Sequence, residues 1–215
     1  MKKDEKLGAE IKAHLIGKGV ETPMSNQTPY DSKAQKELIS DHFRKIMYSM
    51  NLDLSDDSLK GTPDRVAKMF VDEIFYGLNY ENFPKCTAVE NKMKYDEMIT
   101  IKDINVSSTC EHHFVVIDGF AKIAYIPNEK VLGLSKFNRI VEFFSKRPQI
   151  QERLTAQIFE TLCLILETEN VAITIDAVHH CVKSRGVADA NSSTRTTKLG
   201  GLFKEKDSVR LEFLS

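Results

Sequence analysis

The chain has 215 residues, an ordinary apolar fraction of 41% and a formal net charge of −1. Its length suits one large domain or one domain with an appendage, and its charge excludes a global field that attracts nucleic acid or an anionic membrane. Because no apolar run approaches the roughly 20 residues of a membrane span and the charged start has no apolar segment behind it, we expect a cytoplasmic protein with no nucleic-acid or membrane partner.

The sequence predicts an N-terminal helical region over residues 1–95 and a catalytic domain over 96–215. Apolar residues at helical spacing over 7–16 predict a short helix. Such a helix should not stand alone, and we expect it to dock elsewhere, for example on another subunit. Residues 17–30 are rich in Gly, Pro and Ser and predict a linker.

Two further helices follow the linker. Ser32 and Gln35 have the pattern of a capping box, and an apolar stripe continues from there to Met50. Thr62 followed by a proline predicts an N-cap and the start of the next helix. Gly77 predicts its end.

The apolar pattern then changes to a period of two, which is typical of strands. Ile99 and Ile101 alternate with polar residues, and Ile104 and Val106 resume the alternation after a slip of one residue. The slip predicts a β-bulge. This strand leads directly into Cys110.

A second strand is predicted over 114–126, with Asp118-Gly119 as a turn or bulge signal. Ser135 predicts the N-cap of a helix, and a longer helix is predicted over 149–168. Residues 171–177 then alternate cleanly, and the same strand face continues to residue 185.

A loop rich in Ser and Thr is predicted over 191–197, before a last strand over 209–213. The order is therefore helices followed by β-β-α-α-β-β. This order predicts the α+β class, with an antiparallel four-stranded sheet and helices on one face. Because such a sheet leaves exposed edges, we expect closed oligomerisation.

Potential metal ligands are concentrated in two short windows. Six of the ten Cys and His residues fall within Cys110–His113 and His179–Cys181. Zinc in proteins takes Cys and His ligands in a tetrahedron, and a catalytic zinc site keeps one position open. The pattern therefore predicts a zinc site.

The spacing within the windows selects three ligands. Cys110 and His113 are three residues apart, which brings both side chains together on one turn. On a strand, His179 and Cys181 would share one face. Cys110, His113 and Cys181 can therefore close on one metal ion, leaving His112 and His179 beside it. A metal site with three protein ligands and two further histidines that do not bind the metal is typical of a catalytic site.

Two alternatives stay open at this point. Cys110 and Cys181 could form a disulfide, although cytosolic thiols stay reduced, or the metal could be purely structural. The other two cysteines lie outside the windows. Cys163 has the surroundings of a buried apolar residue, and Cys86 has no visible partner.

Taken together, the motifs resemble those of GTP cyclohydrolase I of the bacterial type. The resemblance extends over essentially the whole chain. It is carried by six stretches: Gly61–Lys68, Ser108–Phe114, Gly133–Lys136, Arg147–Leu154, Asp176–Gly186 and Leu199–Phe203.

This resemblance implies a tunnelling fold and a ring-shaped homodecamer with active sites shared between subunits. It also implies the reaction, in which GTP and water give formate and 7,8-dihydroneopterin triphosphate, the first step of folate and pterin biosynthesis. Zn²⁺ is the implied cofactor and GTP the implied substrate.

The resemblance also implies roles for individual residues. The zinc ligands would be Cys110, His113 and Cys181. The catalytic residues would be His112, His179 and Ser135. The triphosphate would contact Ser135, Lys136, Arg139 and Arg185. Guanine would be bound by Gln151 and Glu152. A neighbouring subunit would contribute Arg65 and Lys68.

Taken alone, some of these residues have ordinary interpretations. Lys136 and Arg139 could be solvated surface cations, although a helix N-terminus favours anions. Glu152 could be a first-turn acid stabilised by the helix dipole. The chain departs from the family pattern at His180, where many relatives have an aromatic residue, and at Arg195, in a run that is usually Thr and Ser.

Two rival functions remain. A zinc nucleoside deaminase requires H-x-E and P-C-x-x-C motifs, and the chain lacks the second. A non-catalytic, zinc-stabilised oligomer that binds pterins or purines is the other rival. Release of formate from GTP separates the three hypotheses, because a deaminase releases ammonia and a binding protein releases nothing.

Overall fold

The structure, a computed structural model, describes residues 2–25 and 30–215. It has two compact units: the main unit contains the described residues up to Thr22 together with Gly77–Ser215, and the small unit is Pro23–Tyr76. Helices and strands are both present, which confirms a mixed α+β chain. None of the described helices is both long and apolar enough to cross a membrane.

Both helices predicted for the small unit are present, but the N-cap of the second is Gly61 rather than Thr62, and its helical turns end at Ile74 rather than at Gly77. The unit contains α2 (Ser32–Ser49), α3 (Thr62–Lys68) and a π-helical turn (Met69–Ile74). The predicted cap of α2 at Ser32 is wrong, because the preceding residue, Asp31, accepts a hydrogen bond from the Ala34 N–H at 2.8 Å. Asp and Ser are equally good N-caps, so the sequence could not separate two neighbouring positions.

The first helix belongs to the main unit. α1 (Glu5–Gly17) packs against the 3₁₀ turn Tyr80–Asn82 and against α5 (Gln151–Leu166), with Ile11 and Leu15 fully buried. α1 therefore docks on its own chain. Gly17, at the start of the predicted linker, still belongs to α1, and residues 26–29 of that linker lie outside the described residues.

Two sheets form the strand layer of the main unit. The larger contains β2 (Ile99–Cys110), β3 (Val116–Tyr125), β5 (Pro148–Gln149), β6 (Val171–His179) and β7 (Thr194–Leu199). Its strand order is β5-β2-β3-β6-β7, antiparallel throughout except for the short parallel pair β5-β2. The smaller sheet pairs β1 (Ala88–Glu90) with β4 (Lys130–Leu132).

Two details of β2 and β3 bear on the predictions. The register of β2 on β3 shifts between Ile101 and Ile104, which confirms the predicted bulge. The turn predicted at Asp118-Gly119 is wrong, because Gly119 lies inside β3 and pairs with Ala177. A Cβ atom at Gly119 would lie 2.0 Å from the Asp176 carbonyl oxygen, so glycine there permits close strand approach.

The predicted helical pair covers one face of the sheet. α4 (Ser135–Ser145) packs on β2, and α5 packs on β6 and β7. On β3, Ile117 and Ile123 are buried beneath this layer, whereas Phe120 on the opposite face is 57% exposed. The predicted N-cap at Ser135 is wrong, because Ser135 is the first helical residue and the preceding residue forms no side-chain cap.

The C-terminal region differs from the prediction. The expected strand over 209–213 is a helix, and the last strand is β7, inside the segment predicted as a loop. The helices are α6 (His180–Lys183), α7 (Gly201–Glu205) and α8 (Asp207–Leu214). Phe203 and Phe213 pack on Ala124 and Ala172, so these helices cover part of the sheet face opposite α4 and α5. A short apolar alternation fits a helix as well as a strand, and tertiary packing decides between them.

A buried guanidinium, that of Arg147, links several segments of the main unit. Arg147 is 0% exposed, and its carbon Cζ lies 4.8–5.0 Å from the ring centroids of Tyr80, Phe143 and Phe144. Its Nη2 donates to the Gly77 carbonyl oxygen, and its Nη1 lies 3.4 Å from a Glu21 carboxylate oxygen. The charge is thus paired, hydrogen-bonded and stacked on aromatic faces, as a buried cation requires.

We expect Arg147→Met to lower the free energy of unfolding by about 3–5 kcal/mol, since it removes the cation that pairs with the Glu21 carboxylate and the donor to the Gly77 carbonyl oxygen. Urea unfolding at one fixed protein concentration measures the loss. Arg210→Met is the matched control: Arg210 pairs with Asp207 at the surface of α8, so its loss should cost about 0–1 kcal/mol. Equal shifts of the two variants would contradict the structural role of Arg147.

Candidate metal centre and active site

Three of the predicted ligands meet in the main unit. The ligand atoms of Cys110, His113 and Cys181 all lie within 4.8 Å of one another. Cys110 is buried at the end of β2, His113 is exposed in the following turn, and Cys181 is half-buried in α6. The structure therefore brings the predicted metal ligands together.

Backbone hydrogen bonds shape the turn that carries two of these ligands. The Cys110 N–H donates to the Val115 carbonyl oxygen at 2.8 Å, and the Phe114 N–H donates to the Cys110 carbonyl oxygen at 2.9 Å. The Glu111 N–H donates to Gln149 in β5 at 3.0 Å. The chain thus reverses tightly after β2 and places the residue three positions on beside the Cys110 thiol.

The third ligand is presented differently from the prediction. We expected a continuous strand face from His179 through Cys181 to Arg185, but β6 ends at His179 and α6 begins at His180. Cys181 therefore lies on a helical turn. Alternation in the sequence continued past the strand end, and nothing local marks the point at which the chain bends.

Two thiols share the centre without being bonded to each other. All four cysteines are free, so the alternative of a disulfide is not realised. Burial and the neighbouring Cys110 thiol raise the pKa of Cys181, and the Arg185 guanidinium opposes this rise. Two adjacent thiolates would repel each other, and a divalent cation between them removes that cost. Two Cys and one His at this spacing are a donor set that fits zinc.

The two histidines of the turn have different partners. Nδ1 of His112 lies 3.7 Å from Sγ of Cys110. Nε2 of His113 lies 2.9 Å from Nη1 of Arg185. A guanidinium can only donate, so this His113 nitrogen accepts. Arg185 therefore lies at the edge of the metal centre.

His179 lies at the end of β6 and faces α5. Its Nε2 is 2.7 Å from Oε1 of Gln151. Burial lowers the pKa of His179, and the carboxylate of Glu152 opposes the shift. Lowering favours the neutral imidazole, which can accept a proton at neutral pH. Glu152 itself is exposed, as a residue that binds a ligand must be before the ligand arrives.

One ion pair at the site has no signal in the local sequence. Arg153 in α5 contacts Glu111 through two nitrogens, with Nη1 2.5 Å from Oε2 and Nη2 3.4 Å from Oε1. Both side chains are largely buried. A two-point contact of this kind fixes orientation as well as distance. It joins the turn that carries Cys110 and His113 to the start of α5.

The predicted triphosphate residues form a second feature, in the first turns of α4. Ser135 is exposed, and Lys136 and Arg139 are half-buried. Burial raises the pKa of the nearby Cys86 thiol to about 11, although both cations oppose that rise. The hydrogen bonds of the metal centre described above do not involve these three residues. Their part in the site stays a prediction.

The remaining predicted residues, Arg65 and Lys68, belong to α3 in the small unit. Nη2 of Arg65 donates to the Ser58 carbonyl oxygen at 3.0 Å and to Oγ1 of Thr62 at 2.8 Å. These bonds hold the side chain near its own helix. Contribution of this pair to a neighbouring subunit also stays a prediction.

Comparison with known proteins decides the family. The family model for GTP cyclohydrolase I matches residues 39–215. The chain belongs to the GTP cyclohydrolase I family. GTP cyclohydrolase 1 of Erwinia tasmaniensis is 60% identical over 201 residues, which cover 93% of this chain and 91% of that protein. GTP cyclohydrolase 1 of Citrobacter koseri is 59% identical over 210 residues, covering 97% and 95%.

A solved structure is also similar to part of the chain. The apo form of an archaeosine synthase QueF-Like is 17% identical, with a TM-score of 0.41, covering 48% of this chain and 93% of that one. A likeness this low carries no argument about the fold or the function. Membership of the GTP cyclohydrolase I family rests on the sequence matches.

Zinc analysis tests the ligand set. We expect His113→Ala and Cys181→Ser to lose most of their zinc, because each removes one of three protein ligands. His112→Ala should keep its zinc and serves as the control on the adjacent residue. Elemental analysis of the purified variants gives zinc per subunit, and circular dichroism checks their folding. Zinc loss in His112→Ala together with full zinc in His113→Ala would reverse the assignment.

A second experiment tests the ion pair beneath the metal centre. Arg153→Gln should weaken zinc affinity by roughly tenfold to hundredfold, the loss typical when a group that orients a metal ligand is removed. Glu111→Gln should have the same effect, and the double variant should be no weaker than either, as expected for one shared contact. Competition with a chelator measures the affinities. Arg195→Gln, which breaks an exposed ion pair with Asp176, is the control and should keep parental affinity.

Proposed function

We propose that the protein catalyses the zinc-dependent hydrolysis and rearrangement of GTP to formate and 7,8-dihydroneopterin triphosphate, the first step of folate and pterin biosynthesis. The observation that supports this best is the convergence of Cys110, His113 and Cys181 in a member of the GTP cyclohydrolase I family. Nδ1 of His112 lies 3.7 Å from Sγ of Cys110, and His179 comes two residues before Cys181. Thiol ligands must stay reduced, which agrees with the cytoplasm.

The reaction begins with attack of water on the guanine carbon between the two imidazole nitrogens. Zinc bound to the Cys/His/Cys set supplies Lewis-acid chemistry at neutral pH. Ring opening then requires a proton on the ring nitrogen, and the later rearrangement of the ribose requires a second proton carrier. Two imidazoles suit these tasks because histidine titrates near neutral pH.

His179 and His112 divide these proton transfers in our proposal. Burial lowers the pKa of His179 and so favours its neutral form, in which it can take a proton from a reacting group. His112 is exposed, which lets it exchange protons with solvent and reach substrate from the open side. Ser135 would act with them at the phosphate end of the substrate.

Recognition of GTP is assigned to two groups of residues. Glu152 can accept hydrogen bonds from guanine N1–H and the 2-amino group, which adenine cannot supply together, and Gln151 was predicted beside it. Because a bound base would cover the exposed Glu152 carboxylate, leaving that carboxylate unpaired against the wrong base would cost about 1–3 kcal/mol. The triphosphate would be bound by Ser135, Lys136, Arg139 and Arg185, with Arg65 and Lys68 from a neighbouring subunit.

We further propose a tunnelling fold assembled as a ring-shaped homodecamer, with residues 96–215 as the catalytic domain. The strand order leaves β7 at one edge of the sheet. At the other edge, β5 covers β2 only at Thr109 and Cys110. Open edges of this kind can pair between copies, and a heterologous contact that closes gives a ring.

One assay tests the proposed reaction against both rivals. Incubation of the zinc-loaded protein with GTP should release formate and give a fluorescent pterin after oxidation. The production of ammonia would instead indicate a deaminase, and the absence of any product a binding protein. Light scattering of the same sample reports the oligomer, and an active monomer would refute shared sites.

We expect Arg185→Ala to weaken GTP binding by about 2–5 kcal/mol, which is roughly thirtyfold to several-thousandfold. Guanosine binding should change much less, because it has no phosphate for the guanidinium to contact. Calorimetry with both ligands gives the comparison, and zinc content should be unchanged. Arg195→Ala, the loss of another exposed arginine, should leave both affinities at parental values. Unchanged GTP affinity in Arg185→Ala would remove Arg185 from the triphosphate site.

A further inference from the structure

Gln151 is buried at the start of α5, and the hydrogen bonds of its amide leave only one orientation open. The side chain is 1% exposed. Its Nε2 lies 2.8 Å from the Ile175 carbonyl oxygen in β6 and 3.0 Å from the Thr194 carbonyl oxygen in β7. Carbonyl oxygens only accept hydrogen bonds, so the NH₂ group of the amide must face them. The oxygen, Oε1, therefore faces the other way.

That oxygen lies 2.7 Å from Nε2 of His179. An amide oxygen only accepts, so Nε2 of His179 must carry the hydrogen. In the neutral ring the other nitrogen, Nδ1, then holds the free lone pair. The two backbone carbonyls orient the amide of Gln151, and through that amide they determine which nitrogen of His179 is protonated.

We propose that Gln151 is a positioning residue that fixes His179 as the Nε2–H tautomer and leaves Nδ1 as the proton-accepting atom. The tautomer itself follows from the hydrogen bonds, whereas its catalytic consequence rests on the proposed function. This role differs from the predicted one, in which Gln151 reads guanine. Because the amide of Gln151 is already hydrogen-bonded to two strands and to a histidine, we assign recognition of the purine to Glu152.

The surroundings of Gln151 make the orientation rigid. Oγ1 of Thr196 lies 3.1 Å from Nε2 of Gln151 and 2.6 Å from Oγ1 of Thr155. The Thr155 hydroxyl also donates to the carbonyl oxygen of Gln151 at 2.8 Å. Turning the amide over would set its oxygen against two carbonyl oxygens, and that unfavourable contact excludes the opposite tautomer of His179.

Nitrogen NMR on the zinc-loaded parent tests the tautomer without reference to activity. Protein labelled with ¹⁵N-histidine is measured in the solid state at about pH 8, above the ordinary imidazole pKa. His179→Gln identifies the His179 signals by their loss. We expect a protonated Nε2 and an unprotonated Nδ1. The opposite pattern, or a mixture of the two, overturns the proposal whether or not the protein acts on GTP.

A pair of matched variants tests the consequence. Gln151→Met should give a mixture of His179 tautomers and lower kcat by roughly tenfold to hundredfold, the loss typical of removing the partner that orients a functional imidazole. KM for GTP should stay within about twofold, since ground-state binding is untouched, and zinc should be retained. A raised KM with unchanged kcat would instead support the guanine role and contradict ours.

Gln157→Met is the control. It makes the same change to a fully buried amide in the same helix, but the side chain of Gln157 bonds to Val20, Thr22 and Gln149 rather than to His179. It should keep the parental tautomer and the parental kcat. An equal loss of kcat in both variants would show that Gln151 has only a structural role. Thr196→Val should also keep the tautomer, because both carbonyl acceptors remain. Lack of formate release by the parent would reject the proposed function while leaving the NMR result decisive for Gln151.

Discussion

The antiparallel pairing of β3 with both β2 and β6 makes the metal centre possible. Two strands that flank a common antiparallel neighbour run in the same direction, so their C-terminal ends lie at the same end of the sheet. Thr109 pairs with Val116, and His179 pairs with Ile117. These adjacent registers place the two Cys/His windows side by side, although about seventy residues separate them in the sequence.

This geometry explains why the ligands could be chosen from the sequence while their surroundings could not. Spacing within each window is local, and Cys110 and His113 depend only on one tight turn. The partners that orient them are not local. Arg153 reaches Glu111 from another element, and the amide of Gln151 is oriented by carbonyls of two strands. Ordinary glutamine and arginine residues give no local sign of such contacts.

The same distinction applies to the fold. Long amphipathic patterns predicted α2, α4 and α5, and the slip at Ile101–Ile104 correctly predicted a bulge. Short patterns failed: the alternation of 209–213 fits both periods, and its packing on Ala124 and Ala172 selects the helix. The caps of α2 and α4 were each predicted one residue too late. At α2 two neighbouring polar residues compete for the position, whereas at α4 the position is occupied by Leu134, which forms no side-chain cap.

The contacts of Arg147 have a topological consequence. Its guanidinium lies 3.5 Å from Oγ1 of Thr22 and also bonds the Gly77 carbonyl oxygen. Thr22 is the last residue before the chain leaves the main unit, and Gly77 is the first after it returns. Arg147 therefore holds together the two positions at which the chain leaves and re-enters the main unit. The two ends of the intervening segment are close to each other for this reason. A segment with closed ends can be lengthened, shortened or exchanged during evolution without displacing the sheet that carries the metal centre.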